Sequence, residues 1–179
     1  MNILAISGSL RAISSNTTVL QALARLAPDG VRVTIYTGLG ELPHFNPDLD
    51  NERIPDLAAK FRSEVGVADG LIISSPEYAH GVPGSLKNAL DWLVGSLDFA
   101  GKPVALINTA PRATHAQASL RETLQTMAAH IVDDTSITLA LPGGSSDAAG
   151  LVADADCAAA LRAMLAALVR VISSTAHEA

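Results

Sequence analysis

Short apolar runs, each followed by a stretch with helical spacing, recur along the chain, and this alternation restricts the fold more than any other feature. Residues 3–6 are Ile3, Leu4, Ala5 and Ile6, and the run breaks at Ser7-Gly8-Ser9, as a buried strand entering a polar loop would. Within residues 16–27 the apolar positions Val19, Leu20, Leu23, Leu26 and Ala27 have helical spacing, and Pro28-Asp29-Gly30 closes the segment. Residues 31–36 alternate β-branched with polar side chains and predict a second strand, followed by a long polar loop over residues 37–51. Helical signals return at residues 54–67, and Gly70-Leu71-Ile72-Ile73-Ser74 reads as a third, buried strand.

The second half keeps the rhythm without repeating the sequence. A helix over residues 85–94 leads to a strand at 104–108, and a loop at 109–114 leads to a helix over 115–129. The fifth strand falls near Ile131 or at residues 136–139. A Gly/Ser-rich loop at 142–150 then precedes a last helix over 154–173, with Cys157, Leu161, Leu165, Leu168 and Ile172 on one seam. Five short apolar strands alternating with five helices require a parallel sheet covered on both faces. The expected fold is therefore α/β: a doubly wound, three-layer sandwich with a five-stranded parallel sheet, in one domain spanning residues 1–179.

Composition narrows the partners. Hydrophobic residues make up 49% of the chain but aromatic ones only 3%, so the core is built from Ala, Leu, Val and Ile, and stacking on single-stranded nucleic acid loses its usual side chains. Eighteen acidic residues against twelve basic ones give a net charge of −6 with no basic run, which argues against nucleic acid or an anionic membrane as partner. No unbroken apolar run has the length of a membrane span. The single cysteine excludes an internal disulfide framework, and with the absence of a basic, apolar leader it points to a cytoplasmic setting.

In doubly wound sheets ligands lie outside the carboxyl ends of the strands, so three loops are the place to look for function. The first enters a helix and carries Ser9, Arg11, Ser14, Ser15, Asn16 and Thr17. Free backbone N–H groups at a helix start, with hydroxyls, an amide and a guanidinium beside them, suit a phosphate monoester. Ser, Asn and Thr are also ordinary helix caps, and capping alone accounts for part of this pattern. The loop lacks the glycine spacing of dinucleotide sites and the lysine of triphosphate sites, which points to a mononucleotide cofactor. The second loop, with Pro76, Glu77, Tyr78, Ala79 and His80 before Pro83-Gly84, has the irregular backbone that can face a planar ring. Thr109 and Ala110 begin the third.

Gly8-Ser9-Leu10-Arg11, with Ser14 and Asn16, followed by Pro76-Glu77-Tyr78 and by Pro83-Gly84 before Leu86-Lys87-Asn88-Ala89-Leu90-Asp91-Trp92, resembles the NADPH-dependent FMN reductase family of flavodoxin-like quinone, azo and chromate reductases. The resemblance implies a non-covalent FMN. Its phosphate would lie on the first loop, and its ring against Pro76, Glu77, Tyr78, Ala79 and His80, with Thr109 and Ala110 as weaker carry-overs. Relatives usually have Asn after Pro-Glu-Tyr, where this chain has Ala79-His80. The implied activity is hydride transfer from NADPH or NADH to FMN, then electron delivery to a quinone-like or other small acceptor, with no side chain named as acid or base. The alternative is a flavodoxin-type electron carrier or a flavin-binding redox sensor without turnover. Residues 42–48 resemble the family's interface loop, and an exposed Phe45 there would favour a homodimer or homotetramer.

The other singled-out residues read as structural. His44, His80, His115, His130 and His177 lack metal-ligand spacing, and only His80 sits in a site loop. Arg112 suits either the NADPH 2′-phosphate or plain solvent. Trp92 and Cys157 read as core, and Lys87 with Asp91 as a surface pair one helical turn apart.

Overall fold

A computed structural model describes residues 1–141 and 147–178. Strands β1 (Asn2–Ser7), β3 (Gly70–Ser74) and β4 (Pro103–Asn108) are buried along almost their whole length, as strands covered on both faces must be. β2 (Arg32–Tyr36) alternates exposed and buried positions and lies at one edge. All pairings are parallel and the order is β2-β1-β3-β4-β5, the order of the expected flavodoxin-like sheet. Both expected places for the fifth strand are used. β5 (His130–Ile131) and β6 (Ile137–Thr138) each pair with β4 over two residues, and a 3-10 turn at Asp133–Thr135 separates them.

The pleat sends alternate side chains to opposite faces. Ile3, Ala5, Ile72, Ala105 and Ile107 pack against α1 (Ser15–Leu26), α5 (Ala148–Ala153) and α6 (Ala155–Glu178), where Leu161, Leu165, Leu168 and Ile172 form the expected seam. Leu4, Ile6, Leu71, Ile73, Val104 and Leu106 pack against α2 (Asp56–Val67), α3 (Gly84–Leu93) and α4 (Thr114–Thr126). By length and composition Ala155–Thr175 could cross a membrane, although charges interrupt its apolar residues. Its apolar stripe is instead spent on the sheet, with Leu161 and Leu168 fully buried.

Two segments, and the placement of Phe45, differ from expectation. The loop at residues 37–51 holds two 3-10 turns, Leu39–Glu41 and Pro47–Leu49. The last helix is preceded by α5, which begins where Asp147 accepts a hydrogen bond from the Gly150 N–H, and Asp154 in turn accepts one from the Cys157 N–H. Residues 148–150 of the expected Gly/Ser-rich loop are thus helical, while 142–146 and the His177 side chain lie outside the described residues. Phe45 is half-buried, its ring edge-on to Trp92 at 5.1 Å, so its apolar surface is partly covered within the chain. Trp92 and Asn88 donate to the Pro43 carbonyl at 2.8 and 3.0 Å, and the Asn88 Oδ1 accepts from the Phe45 N–H. The loop is therefore fixed to α3.

Candidate functional site

The three central strands are apolar until their carboxyl ends and then change to Ser7 and Ser74, which are in register, and to Asn108, one residue beyond that level. Buried polar side chains among the described residues are Ser7, Ser9, Ser14, Asn16, Ser74, Ser75, Asn108 and Thr135. All but Thr135 lie at this end. Burying so many polar groups costs free energy unless each is bonded, and the bonds that satisfy them join the loops to one another.

Asn16 is the centre of that network. Its Oδ1 accepts from the Ser74 hydroxyl at 2.8 Å and from the Thr109 hydroxyl at 3.3 Å, so one side chain of α1 ties the ends of β3 and β4. Thr17 shares a hydrogen bond with Ser7 at 2.9 Å, and the Ser9 hydroxyl accepts from the Arg11 N–H at 3.3 Å. Gly8 donates its N–H to the Ser74 carbonyl, and a Cβ there would meet Leu86 at 3.0 Å and Ser75 Oγ at 3.1 Å. Only glycine lets the first loop lie this close to the third strand.

The capping question raised by the sequence has a geometric answer. Ser14 makes no side-chain cap on α1, Asn16 and Thr17 are engaged elsewhere, and the first turn holds no acid. The helix start therefore keeps N–H donors and its partial positive charge for an outside acceptor. Beside it lies a cleft of about 450 Å³ lined by Ser7, Ser9, Leu10, Arg11 and Thr17 from the first loop and helix, and by residues 35–37 and 39–41 opposite. Tyr36 and Glu41 of that far wall were not singled out by the sequence. Burial, then the carboxylates of Glu64 and Glu41, push the Tyr36 phenol up to about 12.

On the second loop, Tyr78 and Gly81 exchange both backbone hydrogen bonds, at 3.1 and 2.9 Å, and close a tight turn. Ala79 and His80 at its tip have φ of +49° and +61°, a left-handed conformation that suits glycine or asparagine better. Tyr78 is half exposed. Glu77 does not point into open space: its Oε2 accepts from the Ala116 N–H at 2.8 Å at the start of α4. His80 stacks on His115 with centroids 4.3 Å apart and planes 23° from parallel. Gln117 reaches the Ser75 carbonyl at 3.5 Å. The loop is thus fastened to the first turn of α4 at three points.

Of the expected contacts, Ser14, Ser15, Asn16 and Thr17 fall at the start of α1, with Ser9 and Arg11 on the loop before it, and Pro76 to His80 lie on the loop fastened to α4. Thr109 joins them through Asn16. The Ala110 N–H is held by Asn108 Oδ1 at 2.9 Å, which leaves that donor unavailable to a ligand. A phosphate monoester matches the donor set, which carries one guanidinium, several hydroxyls and no acid between Ser7 and Thr17. A planar ring matches the exposed Tyr78 and the open turn. A cleft of about 440 Å³ on the far side of Asn108, lined by Gln117, Arg121 and Ser136, lies between α4 and β6.

Comparison with known proteins gives the family. A family model for NADPH-dependent FMN reductases matches residues 1–142. An NAD(P)H-dependent FMN reductase of Pseudomonas aeruginosa is 31% identical over 159 residues, 86% of this chain and 85% of that protein. A 2-hydroxy-1,4-benzoquinone reductase of a Burkholderia species is 40% identical over 113 residues, 62% of this chain and 61% of that protein. Among solved structures, the flavoenzyme NAD(P)H:(acceptor) oxidoreductase FerB of Paracoccus denitrificans superposes with a TM-score of 0.85 at 28% identity, covering 97% of each chain. A flavodoxin of Bacillus cereus shares the fold, with a TM-score of 0.60 at 17% identity over 95% of this chain and 98% of its own.

Proposed function

Because the chain belongs to the NADPH-dependent FMN reductase family, we propose that it binds FMN, takes reducing equivalents from NADPH or NADH, and delivers them to a small quinone-like acceptor. The observation that carries this reading is the uncapped, acid-free start of α1 with Arg11 beside it, at the point where the strand order reverses between β1 and β3. When bound, FMN supplies the two-electron carrier that no amino-acid side chain provides.

The chain's own residues bind and orient. Arg11 and the hydroxyls of Ser9, Ser14, Ser15 and Thr17 hold the phosphate, with the backbone N–H groups of the first turn. Asn16 positions the other loops through Ser74 and Thr109. The backbone of residues 76–80 and the Tyr78 side chain would hold the ring. A chain with three Phe, two Tyr and one Trp has little to cover both faces of a flavin. With so little aromatic cover, the nicotinamide and the acceptor would reach the cofactor in turn, and ping-pong kinetics are expected. We place the protein in the cytoplasm, where its lone, buried Cys157 stays reduced, and assign it a homodimer or homotetramer, to be checked by sedimentation equilibrium.

Steady-state assays with FMN-loaded protein test the activity. NADPH or NADH oxidation that depends on added benzoquinone is expected. Flavin reduction by dithionite but not by either nicotinamide would identify a carrier or sensor instead.

A further inference from the structure

The stacked imidazoles of His80 and His115 are not explained by holding a cofactor. This chain holds Ala79 and His80 in left-handed backbone, at a cost of about 1 kcal/mol or more for the alanine, where glycine would be unstrained. Neither ring has a hydrogen bond or ion pair among the described contacts, and both residues are exposed, His80 at the tip of the second loop and His115 in the first turn of α4. The three anchors to α4 fix where the rings stand: the Glu77 carboxylate on the Ala116 N–H, Gln117 on the Ser75 carbonyl, and the stack itself.

We propose that His80 is the proton donor to the acceptor, with His115 as the positioning residue that holds its ring. The inference rests on the functional reading above and adds a residue to it. A quinone becomes a hydroquinone by gaining two electrons and two protons. NAD(P)H supplies a hydride equivalent, which is both electrons and one proton. The second proton comes from the His80 imidazolium, whose N–H bond breaks as an O–H bond forms on the acceptor oxygen. Solvent then reprotonates the exposed ring. Imidazole is suited to this because it exchanges protons near neutral pH. The charged side chains on the surrounding segments are Glu77, already bonded to the helix start, Arg112 in the turn before α4, and Lys87 and Asp91 of α3, which pair with each other at 2.5 Å.

The site selects acceptors by this chemistry: planar carbonyl compounds that must be protonated as they are reduced gain from His80, and pure electron acceptors do not. The test compares kcat for benzoquinone with kcat for ferricenium, which takes one electron and no proton, on FMN-loaded protein. His80→Asn is the main variant, since asparagine tolerates the left-handed turn and the protein should fold. The benzoquinone-to-ferricenium ratio is expected to fall at least tenfold in His80→Asn and in His115→Ala, and His115→Phe, which restores a stacking face, should recover most of it. An unchanged ratio in His80→Asn, or failure of His115→Phe to rescue, overturns the proposal. A wild-type protein that NAD(P)H does not reduce would instead overturn the functional reading on which it rests.

Discussion

Ala79, like Ala128, is an alanine held in left-handed backbone. Its φ of +49° costs an L-residue about 1–2 kcal/mol, of which glycine's greater freedom in the unfolded chain takes back part. Ala79→Gly should therefore stabilise the cofactor-free protein by about 0.5–1 kcal/mol, read as a higher midpoint in urea denaturation. Tyr36 makes a second prediction. Its folded pKa of about 12 stands above the ordinary 10.0, so the native state keeps a proton that the unfolded state releases. Stability is unaffected below pH 10 and declines as pH rises from there towards 12. Tyr36→Phe should remove that component of the alkaline decline, measured by denaturation between pH 9 and 12. Neither feature was legible from the residues alone. The Ala79-His80 departure from the family's usual asparagine was visible, but not that both residues close a left-handed turn, and Tyr36 meets Glu41 and Glu64 only once the sheet is formed.

At the scale of elements, most of the fold was written in periodicity. β1, β3 and β4 are legible because a strand buried on both faces has no polar position to disguise it, and α6 because its seam repeats every three to four residues. What escaped was short or non-local. α5 has six residues, too few for a period, and is marked only by the cap at Asp147. β5 and β6, two residues each, were placed as alternatives for one strand, and both are present. The site loops were found from their composition, but the roles of Asn16 and Glu77 were not, since their partners lie 58 and 39 residues away. Capping and phosphate binding look alike in sequence, and that Ser14 makes no cap is visible only in three dimensions. The start of α1 supplies the prediction at this scale. Arg11→Ala removes a charge-assisted contact of about 1.5–3 kcal/mol, so FMN affinity by fluorescence quenching should fall about 10- to 100-fold. Riboflavin, which lacks the phosphate, should bind wild type and variant alike.

For the whole molecule, a chain of net charge −6 carries an acid-free helix start with Arg11 before it, and among the described residues every buried polar side chain but Thr135 is gathered at the same end. The sheet carries its polar residues where the strands stop, and the three loops are joined there by side chains rather than by chain connectivity. Loss of one joint should therefore be felt at the others, while the two apolar faces remain intact. The account as a whole depends on a flavin at that place accepting reducing equivalents from a nicotinamide. The direct measurement is an anaerobic single-turnover experiment in which FMN-loaded protein is mixed with NADPH or NADH and the long-wavelength flavin absorbance is followed, with benzoquinone added afterwards. Loss of the band on the first addition and its return on the second is the predicted result; a band that persists with both nicotinamides, on protein shown to hold FMN, would contradict it.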